Sequence, residues 1–183
     1  MIVRITLLGA ASLALGACNG GGDGNSAAPA DNAAANEARP TAAKGSLADV
    51  LARPDSARFA AAVRSVGMAP VLQGRGPYTL LLPTDAAMAG VGDQGGDKER
   101  LTRLISNHVL PGTVTTADLG QAIDAHGGKA RLATMAGTTL TATRQGDDIR
   151  LTGPTGAATV TGGEEVLGNG VVHRIDAVLK PAG

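Results

Sequence analysis

The sequence predicts an α+β domain, with helices in the first half, strands in the second, and one early strand that must join the later sheet. Three observations carry this reading. Between Ser46 and Ala125, large apolar residues recur at helical spacing, as in Phe59, Val63 and Val66. From Arg131 onward they fall in short Thr- and Val-rich runs separated by Gly, Asp and Pro. Within the helical half, Tyr78-Thr79-Leu80-Leu81-Leu82 lacks a helical period and is stopped by Pro83, as a buried strand would be.

The elements follow in order. Ser46-Leu47-Ala48-Asp49 reads as a helix start, with Ser46 as N-cap and an acid in the first turn. Pro54-Asp55 interrupts, and Asp55 is placed to cap a second helix that Gly67 ends. After the Tyr78–Leu82 strand, Thr84 is placed to cap a short helix over Asp85–Met88. A helix from Asp97 to His108 puts Leu101, Leu104, Ile105 and His108 on one side, and another spans Ala117–Ala125 before Gly127-Gly128. Strands are predicted at Leu132–Met135, Thr139–Thr143, Ile149–Leu151, Ala157–Thr161 and Val171–Leu179. The last follows Gly168-Asn169-Gly170, which suits a tight turn with positive φ.

Three regions divide the 183 residues. Residues 1–17 read as a signal peptide, with Arg4 ahead of an apolar run from Ile5 to Leu15 that is too short to span a bilayer, which takes about 20 residues. The run ends in Leu15-Gly16-Ala17-Cys18, which resembles the lipobox of bacterial lipoproteins. That resemblance implies cleavage before Cys18 and acylation of its thiol, so the chain is expected to be exported and held on a membrane by lipid. Cys18 is the only cysteine, which excludes a disulfide framework within the chain. Asn19 stands where an Asp would signal retention at the inner membrane. The expected location is therefore the outer membrane, facing the periplasm or the cell surface.

Residues 18–45 form the second region, and residues 46–183 are expected to fold as a single domain. Asn19 to Ala43 contains no Val, Ile, Leu, Met, Phe or Tyr. Such a segment buries too little apolar surface to offset its ordering entropy and is expected to act as a disordered tether. Its reach is roughly 25–30 Å. The glycines of Gly20–Gly24 lack the Lys-Ser/Thr and the preceding strand of a phosphate loop.

Composition excludes some functions. Lys+Arg and Asp+Glu are equal at 16 each, so no basic excess points to nucleic acid. Phe59 and Tyr78 are the only aromatics, too few for a base-stacking platform.

Three segments then resemble the fasciclin-like (FAS1) domain. Tyr78-Thr79-Leu80-Leu81-Leu82-Pro83-Thr84-Asp85-Ala86-Ala87-Met88 resembles its first signature box. Leu104-Ile105-Ser106-Asn107-His108-Val109-Leu110-Pro111-Gly112 resembles its central element, with Asn107 where the family often has Tyr. Asn169-Gly170-Val171-Val172-His173-Arg174-Ile175-Asp176 and the residues to Pro181 resemble its second box. The resemblance implies a wedge-shaped β-sandwich with helices packed on one side, a role in adhesion at cell surfaces or matrix, and no cofactor. Tyr78, Pro83, Thr84, His108, Pro111, Gly112, Asn169, Gly170, His173 and Asp176 are the signature positions it marks, as structural more than functional residues. Glu165-Val166 replaces the Asp-Ile pair that animal members use for integrin recognition, so that activity is not carried over.

A search for chemistry finds little. His108 and His173 lie on apolar faces, where each could be a metal ligand, a base, or a neutral core histidine bonded to backbone. Their place in the boxes of a non-enzyme family favours the last. His126, beside Gly127-Gly128, reads as a loop residue. No His-Glu-x-x-His, cysteine pair or Gly-x-Ser-x-Gly elbow occurs. Asp147-Asp148 and Glu164-Glu165 read as solvated turns. The expectation is an anchored binding module, not an enzyme, without cofactor or metal, whose partner is a protein or polysaccharide of the envelope or matrix. The alternative is a carrier of a small apolar ligand such as a pigment or lipid.

Overall fold

The computed structural model describes residues 45–91 and 97–181. The expected signal peptide, Cys18 and the tether to Ala43 lie outside the described residues.

Among the described residues, two four-stranded sheets and six α-helices make the fold, in the α+β class the sequence predicts. The helical half comprises α1 (Leu47–Leu51), a 3₁₀ turn (Pro54–Ser56), α2 (Ala57–Val66) and α3 (Ala69–Gln73). Strand β1 (Tyr78–Pro83) leads to α4 (Asp85–Ala89), α5 (Lys98–Asn107), β2 (Val109–Pro111) and α6 (Thr116–Ala125). Strands β3 (Ala130–Ala133), β4 (Thr139–Gln145), β5 (Asp148–Gly153), β6 (Gly156–Thr159), β7 (Glu165–Leu167) and β8 (Gly170–Ile175) complete it.

Local signals start and stop the helices. Ser46 and Asp49 form a capping box on α1, as Thr115 and Asp118 do on α6. Thr84 caps α4, Asp97 caps α5, and Gly67 ends α2 at φ 79°. Asp55 departs from expectation. It caps nothing, because the 3₁₀ turn carries the chain into α2, and its carboxylate instead meets Arg174 at 2.6 Å.

The first sheet has the order β2-β1-β8-β7, with β1 and β8 parallel at its centre and antiparallel strands at its edges. The second is the antiparallel meander β3-β4-β5-β6. Alternation along β1 feeds two cores. Leu80 and Leu82 pack with Phe59, Val63, Leu104 and Ile105 beneath the helices. Leu81 points the other way, among Ile175, Leu140 and Leu151 between the sheets.

Two details refine the expected arrangement. Helix α6 buries Leu119 and Ile123 in the intersheet core and packs on β3 and β4, apart from the other helices. The last strand ends at Ile175 instead of running on to Leu179, and Glu165 lies in strand β7, not in a turn.

Candidate functional site

Each histidine of the signature boxes is held by the backbone. His108 caps the C-terminus of α5 and is fully buried. The amide of Leu179 donates to Nε2 at 3.1 Å, so the proton is on Nδ1, which donates to the carbonyl of Leu104 at 2.8 Å. The imidazole meets the Phe59 ring edge-on, centroids 5.7 Å apart. Burial disfavours its charged form and pushes its pKa down to about 4. His173 is equally buried, and its Nε2 donates to the carbonyl of Val114 at 2.7 Å.

The depressed pKa of His108 has a consequence for stability. In the unfolded chain the ring binds a proton near pH 6.5, and in the fold only near pH 4. Stability from the neutral ring is therefore complete above pH 6.5 and is lost as pH falls toward 4. The expected loss is roughly 3 kcal/mol. Urea unfolding from pH 7 to pH 4 measures it, and His108→Gln should flatten that part of the slope. An unchanged slope in the variant would assign the acid sensitivity to other groups.

Asn107 is buried beside His108. Its Nδ2 donates to the carbonyl of Leu179 at 2.8 Å, and its Oδ1 accepts from the hydroxyls of Thr134 and Thr138. The two neighbours thus grip Leu179 through both of its backbone groups. In the sequence, Asn107 stands out only as a departure from the family's usual Tyr.

The other signature positions are also engaged within the fold. Asn169 accepts from the amide of Leu47 at 2.9 Å and donates to the carbonyls of Leu72 and Gly74, each at 3.0 Å. Gly170 lies opposite Tyr78, which is half-buried at the start of β1. Pro83 is buried at the end of β1, opposite Ile175. The amide of Thr84, next in sequence, bonds the Ile175 carbonyl at 3.1 Å. Pro111 pairs with Tyr78, and Gly112 turns the chain at φ 91° while its carbonyl accepts from Thr79 Oγ1 at 2.8 Å. Asp176 accepts from the amide of Thr159 at 2.7 Å.

What remains for recognition is surface. Glu165 sits on the edge strand β7, and Arg53 holds it bidentately at 2.5 and 2.7 Å. That hydrogen-bonded pair keeps its carboxyl below the usual range. Its neighbour Val166 is 44% exposed, and Met135 in the β3–β4 turn 43%. Glu164, expected as a solvated turn residue, accepts from the amide of Thr116 at 2.6 Å at the start of α6. An open apolar groove of about 230 Å³ runs among α1, α2 and α3, past Leu51, Val63 and Leu72. A larger cleft of about 560 Å³ lies between the end of α6 and the β3–β4 pair. Among the described residues, no three of His, Cys, Asp or Glu come together to hold a metal, and no helix is long and apolar enough to cross a membrane.

Comparison with known proteins accounts for this arrangement. The family model described as the Fasciclin domain matches residues 54–181. The chain belongs to the fasciclin domain family. Transforming growth factor-beta-induced protein ig-h3 of Sus scrofa is 32% identical over 127 residues, covering 66% of this chain and 17% of that protein. Protein sll1483 of Synechocystis sp. is 28% identical over 130 residues, covering 66% of this chain and 64% of its own length. The match therefore spans less than two thirds of either relative. In structure, a FAS1 domain pair from the insect cell adhesion molecule fasciclin I superimposes with a TM-score of 0.58 at 21% identity. The overlap covers 68% of this chain and 45% of that one, and shows the shared fold. Fasciclin domains are in general modules of cell adhesion and extracellular interaction.

Proposed function

We propose that this protein is a membrane-anchored adhesion module, a fasciclin domain displayed outside the cytoplasm to bind a protein or polysaccharide of the envelope or matrix. Membership of the fasciclin family is the observation that carries the reading. The signature residues support it by their partners: the histidines and Asn169 are engaged with backbone inside the fold, which leaves recognition to loops, edges and clefts. In this reading lipid on Cys18 fixes the chain to a membrane, outer rather than inner, and residues 18–45 lift the domain clear of the headgroups. Catalysis has no part in it.

The carrier alternative has less support. The apolar groove among α1, α2 and α3 is about 230 Å³ and open, below the roughly 300–1,000 Å³ of pockets that enclose a small molecule.

Two experiments test the proposal. Cys18→Ala is expected to abolish incorporation of labelled palmitate and to move the protein from the membrane to the soluble fraction. Continued labelling would overturn the anchor. Deleting residues 46–183 while keeping the anchor is expected to reduce attachment to surfaces or aggregation of cells. Unchanged attachment and aggregation would overturn the adhesive role.

A further inference from the structure

The cleft between α6 and the β3–β4 pair is lined by residues outside the three signature segments, and its chemical character is its own. Its charged or titratable lining is basic throughout: His126, Lys129 and Arg131, with Thr141 beside them and Leu132 and Ala122 as apolar wall. Among the described residues, none of the three basic groups has a carboxylate within ion-pair distance. The nearest carboxylate in sequence, Asp124, is turned onto Arg144 at 3.1 Å, which holds its carboxyl below the usual range.

The end of α6 brings carbonyl dipoles of the wrong sign for an anion. Two of those carbonyls are already covered. The amide of Gly128 donates to Ile123 at 2.8 Å, closing the helix in a Schellman turn, and His126 donates through Nδ1 to Ala122 at 2.8 Å. That bond fixes the Nδ1–H tautomer of the neutral ring, so Nε2 is the free nitrogen and accepts from a hydroxyl.

We propose that this cleft binds an acidic sugar residue, with Lys129 and Arg131 taking its carboxylate or phosphate and His126 Nε2 and Thr141 taking ring hydroxyls. Three features select a sugar acid over other anions. Two fixed cations lie beside a hydroxyl-accepting nitrogen, so the lining matches a group bearing both charge and hydroxyls. Leu132 and Ala122 offer apolar surface to the C–H face of a ring. The volume of about 560 Å³ suits one or two sugar units more than a bare ion. Nucleic acid is disfavoured, because Phe59 is buried and Tyr78 half-buried, which leaves no aromatic to stack a base. The site rests on the adhesion reading above and names the partner: a polysaccharide or glycolipid with acidic units.

Calorimetric titration of the full-length protein with trigalacturonate, glucose 1-phosphate and neutral galactotriose tests it. Binding of either acidic probe and not of galactotriose is expected, and which one binds identifies the anion as carboxylate or phosphate. The double variant Lys129→Ala/Arg131→Ala should weaken that binding about tenfold or more. Arg100→Ala/Arg103→Ala, which removes two exposed arginines on α5, should leave it unchanged. No binding of either acid, equal binding of the neutral trisaccharide, or equal losses in the two double variants would each overturn the site. Attachment assays separate this proposal from the one it rests on. If deletion of the domain abolishes attachment and the cleft variant does not, the cleft is wrong and the adhesive role stands.

Discussion

Gly170→Ala is expected to abolish the cooperative unfolding transition, leaving protein that is insoluble or has no resolvable melting point. Residue 170 pairs with Tyr78 at the head of the parallel ladder between β1 and β8, the central pair of the first sheet. A Cβ there would stand 2.0 Å from the Tyr78 carbonyl oxygen and 3.0 Å from its carbon. The obstacle is backbone, so no rotamer relieves it. The ladder must part, and with it the seam between the two cores that Leu80 and Leu81 fill from opposite faces of β1. Gly156→Ala is the control. Gly156 also lies in a strand, but a Cβ on it meets nothing within 4 Å, so its melting temperature should stay within a few degrees of the parent. Similar melting of the two variants would show that β1 and β8 can separate at little cost.

This glycine also shows what the sequence could and could not say. Gly168-Asn169-Gly170 was legible as a turn, but the expected reason, positive φ, is wrong at both glycines. Gly170 is required by a close approach from a strand more than ninety residues earlier, which pattern within the segment cannot reveal. Local signals read well. The cap at Ser46, the cap at Thr84 and the stop at Gly67 depend on residues within a turn of one another, and each is in place. Elements held by pairing alone did not read. Strands β2 and β7 have three residues each, too few to show a period, and α3 carries Pro70 in its first turn. Asp55 failed for the same reason as Gly170, since its partner Arg174 is remote in sequence and near in space.

The cationic cleft was hidden in another way. His126, Lys129 and Arg131 are close in sequence and look like scattered polar residues around a glycine turn. Their convergence depends on α6 docking onto β3 and β4, and on the register that sets Arg131 opposite Thr141. Balanced net charge concealed it further, because the fold uses its acids and bases unequally. Asp49, Asp97 and Asp118 serve as caps, Glu164 and Asp176 accept from backbone amides, and Asp55, Asp124 and Glu165 hold arginines. Most of the described lysines and arginines have no such partner. A chain neutral on paper therefore presents one surface, this cleft, whose cations have no ion-pair partner among the described residues, and charge–charge attraction reaches about 8–10 Å at physiological ionic strength. If that surface contributes to adhesion, attachment should weaken as salt is raised.

Asn169→Ala is expected to cost about 3–5 kcal/mol, read as a shift in the urea midpoint at constant slope. The side chain meets three backbone groups that have no other partner among the described residues: the amide of Leu47 at the start of α1, and the carbonyls of Leu72 and Gly74 at the end of α3. Helix ends leave such groups unpaired by their geometry, and a buried end needs an outside partner. One amide supplies an acceptor to the first helix and both donors to the second, tying them to the turn that leads into β8. Asn169→Asp separates this account from simple loss of packing. Aspartate keeps nearly the same shape and the acceptor for Leu47, but places carboxylate oxygen against two carbonyls where hydrogens had been. At pH 7 it should therefore destabilise at least as much as alanine, although it fills the space better. Comparing the two variants with each other at each pH cancels the contribution of His108. The aspartate variant should gain on alanine as pH falls and its carboxyl takes up a proton able to donate to one of those carbonyls. If instead it matches the parent at neutral pH, the residue acts by filling volume, and the link between α1 and α3 lies elsewhere.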